Sequence, residues 1–297
     1  MAGGDARVAE APRVDALVDT GGATLACLVD GDGPLVICAH GFPDCARSFR
    51  HQAPALVAAG FRVVAPYLRG YAPSTPARDR RYDAAALGGD LVALARHFSP
   101  RAPARIVGHD WGAIAAYAAV ALAPRAFSHL VTLAVPHLRV AAPRFLAPAQ
   151  LRRSWYMGMF QIPRVAERWL AADEFALVDR LWRDWSPGFT APGGELAAVK
   201  AALRGRERDV LAYSRAIVSR TSSAAARLLR RPTAVASLYV HGLEDGCIGV
   251  ELADGIERAY VGPIAVHRLA GGHFVHQQAV EQFNAILVQF LRTTIST

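Results

Sequence analysis

The sequence predicts an α/β protein: one mostly parallel central sheet with helices on both faces and an inserted helical cap. Three patterns carry that expectation. From Ala104 onward, short apolar runs of strand length alternate with stretches of helical periodicity, which calls for parallel strands joined by crossover helices. From about residue 137 to 230 the alternation stops, and helical patterns follow one another without a convincing strand. Strand-length runs then return at Ala236. The 297 residues, 53% of them hydrophobic, suffice for a large core. The pattern divides the chain into a core of residues 1–136 and 231–297 and a cap of residues 137–230.

Residues 14–18 and 23–29 read as antiparallel strands about a Thr20-Gly21-Gly22 turn. Residues 35–39 are continuously apolar, as a strand covered on both faces should be. Residues 48–59 read as a helix closed by Gly60, 61–67 as a strand, and 83–98 as a helix despite Gly88 and Gly89. Residues 104–107 form a strand, 111–123 an alanine-rich helix and 127–135 a further strand. In the cap, helices are expected over 148–161, 165–172, 174–183, 194–203 and 207–219. Pro148 suits a first turn, where its missing N–H costs nothing. Residues 236–241 and 264–269 are the last strands, and 280–291 the final amphipathic helix. The first dozen residues read as loose.

The formal charge of +8 would suit an acidic partner, but the basic residues are scattered and nearly all arginine, Lys200 being the only lysine. There is no RNP signature, helix-turn-helix pattern or basic block, so no nucleic-acid partner is expected. The densest basic run, residues 227–231, reads as a solvated helix end. No apolar stretch approaches the roughly 20 residues of a membrane span, and residues 1–14 hold no apolar signal region. Cys27, Cys38, Cys45 and Cys247 lack CxxC spacing, which argues against zinc or a disulfide framework and for a cytoplasmic protein.

The chemistry gathers at strand ends, where open parallel sheets bind ligands. Asp110 stands between a strand and a helix, with Gly108 two residues before it and Gly112 and Ala113 just after. This is the pattern of a nucleophile elbow, with Asp where Ser is usual. Glu244 and Asp245 follow the next-to-last strand, and His273 follows the last in Gly271-Gly272-His273. The order nucleophile, acid, histidine is that of an α/β-hydrolase triad. Asp245 sits at the more usual offset, with Glu244 as alternative; His273 is favoured over His276, which reads as the start of the last helix. Backbone N–H groups of Trp111 and Phe42 are the expected oxyanion donors. Phe42 lies in the His40-Gly41-Phe42-Pro43 loop, whose Phe42–Pro43 bond is a candidate for cis. A carboxylate nucleophile favours attack on an sp³ carbon, giving an alkyl ester that a histidine-activated water hydrolyses.

Together HGFPD, RGYAPS, GHDWGA, the Ser154-Trp155-Tyr156-Met157 stretch and GGHFVHQ resemble the α/β-hydrolase-fold epoxide hydrolases. The resemblance implies hydrolysis of a small apolar epoxide to a vicinal diol, with no metal or organic cofactor and no membrane partner; a homodimer is compatible with it. It further implies two cap tyrosines that donate to the epoxide oxygen. Tyr156, seven residues before Pro163, matches the first. For the second, the pattern aligns Ser214, with Tyr213 one residue earlier, a rotation of about 100° on a helix. Tyr213 is carried as a candidate, and His40 and Trp155 as substrate-binding residues. The haloalkane dehalogenases are the alternative: they share an Asp nucleophile followed by Trp, whose indole can hold a halide, with a second donor sought among Trp155, Trp169, Trp182 and Trp185.

Overall fold

The computed structural model describes residues 12–218 and 222–293. The first dozen residues, expected to be loose, lie outside the described residues except for Pro12, and so does Ser219, the expected end of a helix. Eight strands form one sheet: β1 (Ala16–Asp19), β2 (Thr24–Asp30), β3 (Leu35–Ala39), β4 (Arg62–Pro66), β5 (Ala104–His109), β6 (Phe127–Leu133), β7 (Ala236–Gly242) and β8 (Ile264–Leu269). Their order is β1-β2-β4-β3-β5-β6-β7-β8. β2 runs antiparallel to β1 and β4, and every other neighbouring pair is parallel. This is the mostly parallel sheet that the sequence predicted. The unbroken apolar run of β3 is explained by its place between β4 and β5, with all its residues buried. The parallel arrangement brings the loops after β3, β5, β7 and β8 to one edge.

The helix Ala84–Phe98 starts at Asp83, whose side chain accepts from the amides of Ala85 and Ala86, a cap worth about 1 kcal/mol. It packs on the helix Trp111–Leu122. Its two central glycines differ in kind. A Cβ on Gly88 would lie 2.7 Å from the Ala118 Cβ, so the helices touch there without side-chain thickness. A Cβ on Gly89 would meet nothing within 4 Å. The buried Arg69 grips the same helix through a two-pronged ion pair with Asp90, both bonds 2.7 Å long. Removing one partner of such a pair strands a buried charge, at a cost of about 3–5 kcal/mol.

Between β6 and β7 the chain is helical, with no strand among the described residues. The helix expected over 148–161 is two, Pro148–Arg153 and Trp155–Phe160, broken at Ser154. The long segment Val165–Trp185 leaves helical geometry at Ala172–Phe175, which separates the two helices the sequence suggested. Gly193–Leu203 and Glu207–Val218 follow. Ser222–Leu229 is a further helix, of which the sequence announced only the basic end at 227–231. It presses Ala225 and Leu228 onto Ala84 and Ala118. Residues 48–59, expected as one helix, form a 3-10 turn, Ala46–Phe49, and a shorter helix, Gln52–Ala58. No helix of the described residues is long and apolar enough to cross a membrane.

The contrast between the paired glycines is measurable. Gly88→Ala should lower unfolding free energy by about 1–3 kcal/mol through overpacking against Ala118. Gly89→Ala should raise it by about 0.4–1 kcal/mol by restricting the unfolded chain. Urea unfolding of the two variants checks this, and the reverse ranking would contradict the helix contact.

Candidate active site

Asp110 makes the turn from β5 into the helix Trp111–Leu122 alone, at φ 52° and ψ −117°. For a residue with a Cβ this is a sparsely populated conformation, costing about 1–3 kcal/mol. The neighbouring glycines let the surroundings hold it. A Cβ on Gly108 would lie 2.3 Å from the Gly112 carbonyl oxygen, and one on Gly112 would lie 2.0 Å from that of Ala39. The helix start therefore sits directly on the end of β3. That contact carries the loop after β3 over Asp110, so closely that a Cβ on Gly41 would be 2.4 Å from the Asp110 carboxylate. The Phe42 amide, beside a cis Phe42–Pro43 bond, donates to Asp110 Oδ1 at 2.8 Å. The Trp111 N–H has no acceptor among the described residues.

Asp245 and His273 approach from the loops after β7 and β8. Asp245 Oδ2 lies 2.9 Å from His273 Nδ1. Its Oδ1 accepts from the amides of Cys247 at 2.7 Å and Ile248 at 2.8 Å. His241 adds a ring nitrogen 3.3 Å from Oδ2. Glu244, the alternative acid, is exposed. His273 Nε2 faces Asp110 Oδ2 at 3.6 Å and has no hydrogen-bond partner among the described residues. His276, the alternative base, instead places Nε2 2.8 Å from the Ser48 hydroxyl, which donates to Asp44 at 2.6 Å.

The helical insertion helps hold His273. The Trp185 carbonyl accepts from the amides of His273 at 2.9 Å and Gly246 at 3.1 Å, so one oxygen ties both loops. Ser186 Oγ accepts from the Phe274 amide at 3.0 Å. A Cβ on Gly272 would lie 2.4 Å from the Ser186 Cα, which explains the second glycine before His273. Trp182 stacks on Phe274 at 3.9 Å, and its indole donates to the Pro43 carbonyl at 2.7 Å.

Charge follows from this packing. Burial alone would lower the His273 pKa, but the Asp245 and Asp110 carboxylates overcome it and raise the group to about 10. Burial likewise opposes the Asp245 charge, yet His273 and His241 hold it below the usual carboxylate range. Both carboxylates thus favour the protonated form of the His273 ring. Tyr156 is buried against Phe160 and Trp185, and burial, Cys247 and Asp110 push its hydroxyl well above 10, so it is a neutral donor.

Three candidates from the sequence are placed otherwise. The Tyr213 ring packs edge-on to Trp111, but its hydroxyl donates to the Arg69 carbonyl at 2.7 Å and offers no hydrogen toward Asp110. His40 has both ring nitrogens on backbone: Nδ1 is 2.9 Å from the Gly41 carbonyl, and Nε2 accepts from the Leu68 amide at 3.1 Å. It shapes the loop and has no nitrogen left for a ligand. Trp155 is 40% exposed, packed between Trp169 and the Arg180 guanidinium on the outer side of the insertion. Conversely, Cys247 and His109 were not singled out as site residues, and Trp185 was named only among four possible halide donors. Trp185 lies against His273 at 5.1 Å, Cys247 Sγ lies 3.3 Å from the Tyr156 hydroxyl, and His109 Nε2 lies 3.0 Å from the His273 carbonyl. Their common signal is position: each adjoins an expected site residue in sequence or follows a helix onto a strand-end loop.

Residues 34–247 match the family model of the alpha/beta hydrolase fold. The chain is 30% identical to epoxide hydrolase A of Mycobacterium tuberculosis, over 93% of this chain and 96% of that one. It is 28% identical, with the same two coverages, to the AB hydrolase superfamily protein YfhM of Bacillus subtilis. The crystal structure of epoxide hydrolase A from Mycobacterium thermoresistibile superposes with a TM-score of 0.81 at 28% identity, covering 95% of this chain and 99% of that one. The chain thus belongs to the α/β-hydrolase-fold epoxide hydrolases, a family of hydrolases.

Because Asp110 is one of two carboxylates sustaining the His273 cation, Asp110→Asn should lower the His273 pKa from its value of about 10. NMR titration of the ring resonances reads this directly, and an unmoved midpoint would show that the two groups are not coupled.

Proposed function

We propose that this protein hydrolyses a small apolar epoxide to a vicinal diol through an alkyl ester on Asp110, without a metal or organic cofactor. The observation that carries the reading is a carboxylate at the strained elbow, with one oxygen on the Phe42 amide and the other facing His273 Nε2. The names borne by the relatives point the same way. Asp110 attacks a ring carbon, and the Tyr156 hydroxyl, on the cap, gives its proton to the leaving oxygen. Esterification removes the Asp110 charge, so His273 loses one of the two anions that keep it protonated. Its proton affinity falls at the point where a base is required, and its proton passes to the phenolate that ring opening has left on Tyr156. The neutral imidazole then takes a proton from a water that attacks the Asp110 carbonyl carbon. The Phe42 and Trp111 amides hold the resulting oxyanion. Asp245 orients the imidazole and stabilises it once charged again. Tyr213 takes no part, since its hydroxyl is occupied. The unpaired, buried state of all four cysteines supports a reducing, cytoplasmic setting.

Asp110→Ala should abolish diol formation from styrene-type epoxides. His273→Gln should slow ester hydrolysis by about 10²–10⁴-fold and leave an adduct of enzyme plus one substrate visible by intact mass. Full diol formation by Asp110→Ala would refute the mechanism, and halide release from haloalkanes with no diol from any epoxide would replace it with the dehalogenase reading.

A further inference from the structure

We propose that the Cys247 thiol positions the Tyr156 hydroxyl for ring opening, taking the supporting place of a second phenol. The inference rests on the epoxide reading above. The Tyr156 oxygen and Cys247 Sγ are 3.3 Å apart, and both side chains are buried. Tyr213 supplies no second donor, because its hydrogen is given to the Arg69 carbonyl. Cys247 itself is fixed on both sides. Its N–H donates to Asp245 Oδ1 at 2.7 Å, and its carbonyl accepts from Gln150 Nε2 at 2.8 Å. Gln150 is fully buried on the helix Pro148–Arg153, just before the helix that carries Tyr156, and its Oε1 accepts from the Gly249 amide at 3.0 Å. One short loop therefore orients the acid beside His273, anchors the insertion, and holds a sulfur against the tyrosine oxygen.

The chemistry of the pair is specific. With S–H donating to the Tyr156 oxygen, the tyrosine's own hydrogen is free to point at the epoxide. On ring opening a bond forms between Asp110 and carbon, the ring C–O bond breaks, and the Tyr156 proton passes to the alkoxide. The phenolate that remains accepts from S–H more strongly, because hydrogen bonds to a charged partner are the stronger ones. The proton that His273 gives up after esterification restores the Tyr156 hydroxyl; water then recharges His273, and the proton of the regenerated Asp110 carboxyl goes to the departing diol oxygen, so the cycle consumes only epoxide and water. Burial, Asp245 and Asp110 hold the thiol well above its ordinary range, against the smaller lowering effects of the Tyr156 hydrogen bond and the Arg153 charge. The sulfur thus stays S–H and does not compete with Asp110 for the epoxide.

A double-mutant cycle on the full-length enzyme separates this from simple space filling. Ester formation is followed by quenched single turnover and intact mass in the wild type, Cys247→Ala, Cys247→Ser, Tyr156→Phe and Cys247→Ala/Tyr156→Phe. Cys247→Ala should slow ester formation by about tenfold while leaving ester hydrolysis unchanged. Cys247→Ser should restore most of the rate, since a hydroxyl also donates. In the Tyr156→Phe background, removing the thiol should have no further effect. Wild-type rates for Cys247→Ala, or an equal loss in both backgrounds, would overturn the assignment. A wild type that forms neither ester nor diol would refute the epoxide reading, and this proposal with it. Wild-type turnover with a silent Cys247 would refute this proposal alone.

Discussion

The site depends on one close approach: the start of the helix Trp111–Leu122 lies directly on the end of β3. No side chain fits between them, because a Cβ at Gly112 would fall 2.0 Å from the Ala39 carbonyl oxygen. Two consequences follow from that single contact. Asp110 is held at positive φ, pushed clear of the sheet, and its strain is opposed by the packing of both flanking elements. The loop that follows β3 is laid over the carboxylate, which places the Phe42 amide at hydrogen-bond distance. The Asp110 carboxylate and the Phe42 amide are thus both placed by one packing constraint, and neither can be displaced without the other.

A second constraint is electrostatic. His273 is fully buried, which disfavours its charge, yet two carboxylates keep it protonated. The two are unequal. Asp245 is locked by His273, His241 and two backbone amides, whereas Asp110 has one amide and a 3.6 Å gap to His273. The less constrained carboxylate is the one free to react. A change in its charge is transmitted to His273 through that short separation, at an effective dielectric well below that of water.

What the sequence made legible was what backbone geometry imposes. Glycines at 108 and 112, a proline after Phe42 and two glycines before His273 are residue types that few other conformations require. β8 and the helix Val280–Leu291 could be bounded to the residue from apolar pattern alone. What remained illegible was where side chains point once elements pack. Tyr213 was carried as a candidate second donor, but no pattern could say that its ring would meet Trp111 and its hydroxyl the Arg69 carbonyl. His40 sits in the motif that marks the oxyanion loop, yet its nitrogens serve the backbone on either side. Of the helix Ser222–Leu229 only the basic end was legible, because eight residues are too short a window to establish a helical period.

The insertion is therefore more than a cover. Its Trp185 carbonyl holds the loops of both Asp245 and His273, and its Ser186 and Trp182 grip Phe274. Gln150 ties it to the Cys247–Gly249 loop from the other side. An element that binds the Asp245 and His273 loops through their backbones cannot move as an independent lid without disturbing them. Opening for ligand entry must then occur in parts of the insertion that lack such ties. The segment Ala172–Phe175, where helical geometry lapses at three successive positive φ values, is the part whose backbone already departs from regular structure. The halves of the insertion on either side of it can thus differ in freedom, with the Trp182–Ser186 end fixed to the core by the same bonds that align His273.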